Sequence, residues 1–508
     1  MNTPDWPTRA NDLNLHIRNF IDGRYTDIST GEGLMDKHSS RDGRLLYQLG
    51  SGTLEDVNNA AANAQAAFDD GRWCSLPLSQ RQGVLHKLAD LVETHREELA
   101  LYESLDVGKP ITQALKGDIP GVISRLRGPA ELADKLLEPS GADGTNFSFQ
   151  VRKPIGVVGA IVGWNYPLSL AVTKLAPALV MGNSVVLKPS EFTSLSASRL
   201  AELAIEAGVP PGVFNVVHGA GNTVGAALSL HQDVRLLSFT GSSATGKQLM
   251  IAAGQSNMKR VILECGGKSP YLVFDDCPED LDFLATDIVE TAFANQGALC
   301  VSSTRLLVQD TLLEKLLPKI IAETEKLTPQ DPLNSDTSFG AIINEAHLNK
   351  ILAYIESGKQ EGAKLITGGN RIEVAIGGGV SEGTSNGYYI KPAIFTEVDP
   401  EQKIAQEEIF GPVLSIFTFK DEAEAIQLAN NSCYGLAAYA ATTNLSRAYR
   451  LTQSLNAGYV FIIGTATPGP GGLANLGAEP HRESGMGTES GLAGLVAYSI
   501  SSVAHMLT

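Results

Sequence analysis

Between Ile155 and Glu264 the chain alternates between short apolar runs and longer amphipathic stretches. The runs are rich in Val, Ile and Leu, as buried parallel strands are, and they read GVVGAIV, NSVVLK, FNVVH, VRLLSF and RVILE. In the stretch after the second run, one helical face holds Ala197, Leu200, Ala204 and Ala207, and Gly208 and Pro210 end the helix. Strands joined by helical crossovers predict an α/β fold with a doubly wound parallel sheet, which binds ligands beyond the carboxyl ends of its strands.

The region before this sheet contains a hairpin and two helices. Asp22-Gly23 between β-forming residues predicts a tight turn. One helix opens at Thr53, which forms a capping box with Asp56, and a second opens at Ser79, with a glutamine three residues later. Their apolar faces consist of Val57, Ala60, Ala61, Ala64, Ala67, Leu85, Leu88, Leu91 and Val92. We expect both helices to cover a sheet.

Beyond Gly266 the pattern predicts a second α/β unit. Its helices are expected near Pro278–Ala294, Thr311–Thr328 and Glu345–Glu361. Two further segments, Glu138–Arg152 and Ala497–Met506, alternate in the period of two that is typical of β-strands.

Composition places the chain among ordinary globular proteins. Its 508 residues, 43% apolar and 19% charged, predict two or three domains. The formal net charge of −17 argues against a general affinity for nucleic acid or an anionic membrane. The most apolar long window, residues 155–187, contains polar residues and a proline that favour strand, turn, helix and strand over a membrane span.

Cysteine usage and the N-terminus indicate a compartment. Five cysteines form no C-x-x-C pair and cannot all pair within one chain, which favours free thiols in a reducing environment. The N-terminus has no basic region followed by an apolar run, so no secretory signal is predicted. We therefore expect a cytoplasmic protein.

Three segments carry groups suited to nucleophilic chemistry. Cys300 lies in FANQGALCVSSTR, where Gly297 lets the backbone turn tightly. Glu264 ends the run RVILE next to two glycines, where a carboxylate can act as a base on water. Asn165, in GWNYPL, lies where a strand gives way to a helix, so its amide can donate to an oxyanion. Each also has an ordinary interpretation, as a small buried side chain, a solubilising strand end and a helix cap.

A glycine-rich segment between Gly219 and Gly225 resembles a dinucleotide fingerprint only loosely. Its spacing, G-x-G-x-x-x-G, is one residue too long, and no acidic residue ends a strand about 20 positions later. We predict a tight turn there.

Seven segments, GWNYPL, KPSEFT, FTGSSATGK, LECGGKSP, NQGALC, EEIFGPVL and NNSCYGLAA, occur in an order that resembles the NAD(P)-dependent aldehyde dehydrogenase superfamily. The similarity runs from about Phe20 to about Tyr498. It implies a Rossmann-type parallel-sheet cofactor domain over residues 1–135 and 155–265 and an α/β catalytic domain over 266–475. A small β oligomerisation arm with a C-terminal strand would cover 136–154 and 476–508. It also implies a homodimer or homotetramer.

The resemblance implies a role for each matching residue. Cys300 would be the nucleophile, Glu264 the base and Asn165 an oxyanion donor, with Lys174 and Lys268 in support. NAD would be bound by Trp164, Lys188, Ser190, Glu191, Gly241, Ser242, Glu408 and Phe410, and no metal is implied. The substrate tunnel would be lined by Tyr166, Leu170, Thr173, Leu299 and Val301. These side chains are mostly aliphatic or small, which disfavours an aromatic cage for a quaternary ammonium group.

The resemblance also predicts how the cofactor is bound and how NAD is distinguished from NADP. The segment FTGSSATGK would offer helix N-terminal N–H groups to a phosphate. Glu191 would accept from the adenosine ribose and repel a 2′-phosphate, which favours NAD over NADP. Without the resemblance, Lys188 and Glu191 would be interpreted as a surface ion pair, Glu408 as a solvated carboxylate and Phe410 as a core aromatic.

The activity implied is oxidation of an aldehyde to a carboxylic acid through a thiohemiacetal and a thioester, which water activated by Glu264 hydrolyses. Two alternatives stay open. One is CoA-acylating oxidation, whose enzymes typically lack a base at the position of Glu264, and the other is a non-catalytic protein with this fold. A cysteine hydrolase is disfavoured, because none of the nine histidines lies in a segment that pairs with Cys300 by pattern.

The chain departs from the family pattern in residues 464–483. The segment GTATPGPGGLANLGAEPHRESGMG is long, rich in Gly and Pro, and lacks the family's P-F-G-G run. Elsewhere Ala298 and Gly163 stand where the family usually has Gln and Pro. Because the segment lines the substrate entrance in relatives, the sequence does not identify the aldehyde.

Overall fold

A computed structural model of the chain describes residues 4–13, 15, 17–26, 33–143, 145–376, 387–464 and 476–506. Two large, mostly parallel sheets with flanking helices dominate this part and confirm the predicted α/β fold. Within these residues no helix is both long enough and apolar enough to cross a membrane.

The first sheet contains the five predicted strands, all parallel to one another. Its order is Arg24–Tyr25, Phe20–Ile21, Phe214–Val216, Ser184–Lys188, Val157–Ile161, Val234–Thr240, Arg260–Glu264 and Gly485–Met486. The direction of strand addition reverses between Val157–Ile161 and Val234–Thr240. A ligand crevice forms beyond the carboxyl ends of strands at such a reversal, and these two strands lead to Asn165 and Gly241.

Alternate residues of the strand Val157–Ile161 pack into the cores on opposite faces of this sheet. Val158 and Ala160 pack in one core, whereas Val157 and Ile161 pack in the other. The connecting helices are Pro167–Val180, Leu195–Ala207, Ala226–Leu230 and Ser243–Gln255. The helices of the N-terminal part are Trp6–Asn11, Leu54–Asp69, Leu78–Thr94, Arg96–Val107, Ile111–Gln113 and Ile119–Leu132. The first sheet is thus covered on both faces, as the apolar runs predict.

One predicted helix start is wrong. The capping box of the helix Leu54–Asp69 is present, but the next helix begins at Leu78 rather than Ser79 and has no side-chain capping bond. Gln82, the expected partner in its capping box, instead donates to the Ala130 carbonyl at 2.7 Å. Packing against a neighbouring helix therefore takes the amide that the local pattern assigned to the cap.

Two predicted turns are confirmed. The hairpin pairs Phe20–Ile21 with Arg24–Tyr25. In the glycine-rich segment, Gly219 has a φ of 143° and Gly221–Gly225 forms a π-helical turn, so the segment is a turn that leads into a short helix.

The second sheet has seven strands in the described part of the chain. Its order is Lys364–Thr367, Ala393–Thr396, Val413–Phe419, Arg305–Gln309, Pro270–Val273, Ala437–Ala441 and Tyr459–Ile463, and only the first pair is antiparallel. Its helices are Leu281–Phe293, Asp310–Lys326, Glu345–Gln360, Lys403–Gln406, Glu422–Asn430 and Leu445–Ser454. The three helices predicted beyond Gly266 are therefore confirmed, with small shifts in their ends.

A third, antiparallel sheet joins the two segments that alternate with period two. Its order is Ser499–Met506, Asn146–Pro154 and Ser140–Asp143. The strand Ser499–Met506 follows the helix Gly491–Ala497. Short pairs elsewhere are Leu34–His38 with Leu45–Gly50, Arg371–Ile372 with Tyr389–Ile390, and Tyr434–Gly435 with His481–Arg482. The domain boundaries drawn from the sequence stay a prediction.

Candidate active site

A cavity of about 780 Å³ collects residues from both large sheets and their loops. Cys300, Glu264 and Asn165 all line it. So do ten other residues predicted for the site: Trp164, Gly241, Ser242, Glu408, Phe410, Tyr166, Leu170, Thr173, Leu299 and Val301. Outside its wall are Lys174, Lys188, Ser190, Glu191 and Lys268. The fold therefore brings together most of the residues that the sequence singled out.

The loop before Cys300 contains three consecutive residues in the left-handed backbone region. Asn295, Gln296 and Gly297 have φ values of 50°, 58° and 74°. A Cβ on Gly297 would lie 2.4 Å from the carbonyl carbon and oxygen of Gly411, so no side chain fits there. Glycine thus permits the tight turn that presents Cys300, as predicted.

The Asn165 amide is tied to the same loop. Asn165 Nδ2 donates to the Ala298 carbonyl at 3.0 Å, and Asn295 Nδ2 donates to the Asn165 carbonyl, also at 3.0 Å. A primary amide has two N–H donors, so Asn165 retains one for a group in the cavity. It is not a helix cap, because Tyr166 holds the cap position of the helix Pro167–Val180.

The backbone after Glu264 passes directly against the Cys300 loop. A Cβ on Gly267 would lie 2.3 Å from the Cys300 carbonyl oxygen, and one on Gly266 would lie 2.5 Å from Glu408 Oε2. The Gly267 N–H donates to Glu408 Oε1 at 2.9 Å. The two glycines therefore permit the close approach that brings Glu264, Cys300 and Glu408 to one site.

Burial governs the protonation of the two acidic groups. Burial, assisted by the charges of Glu264 and Glu408, raises the pKa of the Cys300 thiol to about 12. Burial and then the charge of Glu489 raise the pKa of the Glu264 carboxyl well above its ordinary value, while Lys174 opposes the shift. The thiol therefore holds its proton at neutral pH. A raised carboxyl pKa suits a group that must both take up and release a proton.

Glu489, which no sequence motif marked, also lines the cavity. It forms an ion pair with the fully buried Lys174 Nζ. Ser238 Oγ donates to the same carboxylate at 3.1 Å, and Tyr498 Oη donates to Ser238 Oγ at 3.0 Å. Lys174 thus acts on the cavity through Glu489. No local pattern could indicate this, because 315 positions separate the two residues.

The start of the helix Ser243–Gln255 has the features of an anion site. Gly241 and Ser242 line the cavity just before it, and the first N–H groups of a helix have no partner within the helix. Ser242 Oγ accepts the Thr245 N–H at 3.2 Å. The buried Thr240 Oγ1, also in a wall residue, has no hydrogen-bond partner among the described residues. Several polar groups therefore remain for a ligand.

An aromatic cluster forms part of the same wall. The Trp164 ring lies edge to face with His347 and with Phe410, at 5.3 Å between centroids in each case. Burial lowers the pKa of His347 to about 4, and its neutral ring donates from Nε2 to the Phe410 carbonyl at 2.7 Å. His347 and Lys350 line the cavity but were not predicted.

Lys188 and Glu191 pair with each other, but Lys188 is buried, so the interpretation as a surface pair is wrong. Lys188 Nζ donates to the Pro189 carbonyl at 2.8 Å and to Glu191 Oε2 at 3.2 Å, and burial lowers its pKa. Ser190 Oγ accepts the Phe192 N–H at 3.2 Å and so stabilises the turn between them.

Lys268 lies in a separate buried environment. Its Nζ has no hydrogen-bond partner among the described residues, and burial lowers its pKa to about 7.

The part of the cavity that holds the five residues predicted for the substrate tunnel is more aromatic than those residues suggest. Tyr459 and Phe461 also line it. They alternate along the strand Tyr459–Ile463, so the period of two in YVFII was the available signal. The Tyr166 ring is held by Lys109, whose Nζ lies 3.9 Å from the ring centroid.

The atypical segment at residues 464–483 is described only in part, because residues 465–475 lie outside the described residues. In the remainder, His481–Arg482 pairs with Tyr434–Gly435. Glu483 Oε1 lies 2.9 Å from Lys247 Nζ.

Comparisons with known proteins find relatives in sequence and in fold. A family model described as the aldehyde dehydrogenase family matches residues 27–503. The chain is 43% identical over 459 residues, 90% of each protein, to the NADP/NAD-dependent aldehyde dehydrogenase PuuC of Escherichia coli. It is 43% identical over 451 residues to aminoacetaldehyde dehydrogenase of Pseudomonas aeruginosa, covering 89% of this chain and 88% of that protein. A P. syringae indole-3-acetaldehyde dehydrogenase solved with NAD+ and IAA superimposes with a TM-score of 0.93 at 43% identity, over 99% of each chain.

Proposed function

The chain belongs to the aldehyde dehydrogenase family, and from this premise we propose that it oxidises an aldehyde to a carboxylic acid with NAD through a thioester on Cys300. The observation that carries the proposal is a single cavity lined by Cys300, Glu264 and Asn165 and by the residues that precede the helix Ser243–Gln255. A nucleophile, a base and an oxyanion donor can then act on one bound aldehyde, next to an anion site for the phosphates of the cofactor.

The residues present fit NAD. The partnerless Thr240 Oγ1 and the start of the helix Ser243–Gln255 would hold its phosphates, and Trp164, Glu408 and Phe410 would surround its nicotinamide end. Lys188 and Glu191 would bind the adenosine ribose. NAD, when bound, supplies the acceptor for a hydride.

The first half of the mechanism forms the thioester. Cys300 Sγ attacks the carbonyl carbon, and the thiol proton passes to Glu264, whose charge is the main one acting on the thiol. The free Asn165 N–H and the Cys300 backbone N–H hold the oxyanion. Loss of a hydride from the former carbonyl carbon then restores the C=O bond as a thioester.

The second half hydrolyses it. Glu264 takes a proton from water, the hydroxide adds to the thioester, and the C–S bond breaks to release the acid. Cys300 leaves as the thiolate and takes the proton back from Glu264, which restores the neutral thiol. To activate water, Glu264 must first release the proton taken from the thiol. The Glu489 carboxylate raises the pKa of Glu264 and the Lys174 ammonium lowers it, so this pair influences how readily Glu264 releases that proton. The presence of Glu264 favours water over CoA as the acceptor.

A screen for NADH production over aliphatic, aromatic, amino and carboxylate-bearing aldehydes tests the proposal, with and without CoA. We expect turnover without CoA and none in Cys300→Ala. Turnover only with CoA would favour the acylating alternative. No turnover with any aldehyde, in protein that still binds NAD, would favour a non-catalytic role.

We also propose that the protein assembles as a homodimer or homotetramer.

A further inference from the structure

One arginine in the wall of the cavity, Arg125, has no acidic partner among the residues that the structure describes. The helix Ile119–Leu132 contributes Gly121, Ser124, Arg125, Pro129 and Leu132 to that wall. Within the described part of the chain, the Arg125 guanidinium makes one hydrogen bond, from Nη1 to the Gly121 carbonyl at 3.1 Å. That bond satisfies one of its five N–H donors, so most of the planar fork remains free.

The acidic groups whose charge reaches Arg125 are already paired with lysines. Asp118 lies 2.5 Å from the buried Lys109 Nζ, and Glu489 is paired with Lys174. The residue is exposed, but desolvation by the surrounding protein still lowers the pKa of Arg125, and Asp118 and Glu489 offset this only in part. The guanidinium therefore contributes a positive charge to the cavity that no side chain of the described residues neutralises by direct contact.

Arg125 lines the same cavity as the residues predicted for the substrate tunnel. Tyr166 and Tyr459 also line this cavity, and each lies within electrostatic range of both Arg125 and Cys300. Tyr166 is in turn held in place by Lys109. An aldehyde whose carbon lies at Cys300 would extend past these rings towards the guanidinium.

We propose that Arg125 binds a carboxylate at the far end of the aldehyde, so that the substrates are semialdehydes of dicarboxylic acids or similar acidic aldehydes. This rests on the proposed function. The guanidinium fork matches a carboxylate with two parallel N–H···O bonds, and charge-assisted bonds of this kind are stronger than neutral ones. A substrate with an ammonium group at the same end would be repelled.

The test compares kcat/KM for succinic, glutaric and adipic semialdehydes with that for aldehydes of the same length ending in a methyl group. For the best acidic aldehyde we expect the wild-type kcat/KM to exceed that for the methyl-ended aldehyde by about tenfold or more, because one hydrogen bond to a charged group typically contributes that much. Arg125→Gln should reduce this ratio to near one, and Arg125→Lys should retain part of it. Arg127→Gln is the matched control, because Arg127 lies on the same helix but pairs with Asp90 at 2.7 Å. Its ratio should equal that of the wild type.

Three results would overturn the inference while leaving the proposed function intact. They are a wild type with no preference, a ratio that Arg125→Gln leaves unchanged, and a preference for amino aldehydes. If no aldehyde is oxidised, the proposed function is wrong, but a measurement of the melting temperature still tests whether Arg125 binds a carboxylate. Glutarate should raise the melting temperature of the wild type and of Arg127→Gln but not that of Arg125→Gln, and an equal shift in all three would contradict a carboxylate site.

Discussion

At the scale of single residues, the protonation of Cys300 follows from where the chain places it. The thiol is half-buried in the cavity wall, and two nearby carboxyl groups add to the effect of burial. All three influences favour the neutral thiol, although a nucleophile needs the thiolate. The chemistry we propose therefore depends on a base that removes the proton when the substrate is bound.

The pH dependence of alkylation follows from this shift. Because the pKa of Cys300 is raised, the thiolate fraction at neutral pH is small and grows about tenfold per pH unit below the pKa. We expect the rate of reaction with iodoacetamide to rise accordingly from pH 7 to pH 9. Mass spectrometry of the labelled peptides separates Cys300 from the exposed Cys433. A flat profile would mean that the thiol is already ionised at pH 7.

A second expectation at this scale concerns Glu264. Glu264→Gln should form the thioester more slowly than the wild type, because only the small thiolate fraction of Cys300 can then attack, and should hydrolyse it more slowly still, because the amide cannot activate water. Stopped-flow absorbance should show a burst of about one NADH per active site followed by slow turnover, and mass spectrometry should find the acyl group on Cys300. The exposed Glu279→Gln is the control and should turn over like the wild type. Steady turnover of Glu264→Gln at the wild-type rate would place the base elsewhere.

At the scale of elements, the turn before Cys300 stores backbone strain. Two residues other than glycine, Asn295 and Gln296, have left-handed backbone, and both are buried. Such residues persist only where the surroundings hold them, here through hydrogen bonds from Asn295 to the carbonyls of Asn165 and Ala298. The turn thus couples the position of the nucleophile to that of the oxyanion donor.

Substitution of Gly297 tests this turn. Gly297→Ala would put a Cβ 2.4 Å from the backbone of Gly411 at a φ of 74°. We expect a loss of roughly 2 kcal/mol or more in the free energy of unfolding, with a fall in kcat, because the turn must move. The control is Gly83→Ala, where a Cβ meets nothing within 4 Å in a helix, and it should stabilise by about 0.5–1 kcal/mol. Denaturant-induced unfolding and steady-state kinetics of both variants measure these changes. A Gly297→Ala variant with wild-type stability and kcat would contradict the requirement for glycine in this turn.

The loop after the strand Ser184–Lys188 should select the cofactor. Glu191 pairs with the buried Lys188, which orients its carboxylate where an added phosphate would meet negative charge. We expect kcat/KM for NAD to exceed that for NADP by about tenfold or more, since about 1.4 kcal/mol of repulsion suffices. Glu191→Ala should lower the ratio of kcat/KM for NAD to that for NADP, and Glu206→Ala, on the helix that follows, should leave the ratio unchanged. A preference that Glu191→Ala leaves unchanged would show that this residue does not read the ribose.

At the scale of the whole molecule, the third sheet carries an exposed apolar surface. Its edge strand Ser499–Met506 pairs with Asn146–Pro154 on one side and with no other strand of the described chain. Val503 is 62% exposed, and Met506 and Phe147 are also exposed. An unprotected edge with apolar side chains is the kind of surface that a second protein chain covers.

This surface predicts how assembly can be broken. We expect the wild type to elute as a dimer or tetramer in size-exclusion chromatography with light scattering. Val503→Asp should shift it towards the monomer, because a charge is costly to bury in an apolar interface. Leu445→Asp, at a position 85% exposed outside the third sheet, should not change the mass. A wild type that is monomeric at all concentrations would contradict the predicted oligomer.

The amino-acid sequence alone determined the parts of this protein that depend on near neighbours. The five parallel strands, the capping box at Thr53 and the turn at Gly297 follow from patterns a few residues long. Because the carboxyl ends of parallel strands lie at one edge of the sheet, where ligands bind, the strand pattern also predicts that Asn165, Gly241 and Glu264 lie together at that edge. The resemblance to a family then supplied roles for them.

Only the tertiary structure decided what lies beside these residues and in which charge state. Glu489 reaches Lys174 across 315 positions, and Arg125 enters the wall from a helix that the pattern did not mark. Ser79 is not the N-cap of its helix, and Gln82, the expected partner in its capping box, donates to a carbonyl of another helix instead. The raised pKa of Cys300 likewise depends on burial and on charges distant in the sequence. Periodicity records which face of an element is apolar, whereas contacts, burial and pKa depend on how distant elements meet in space.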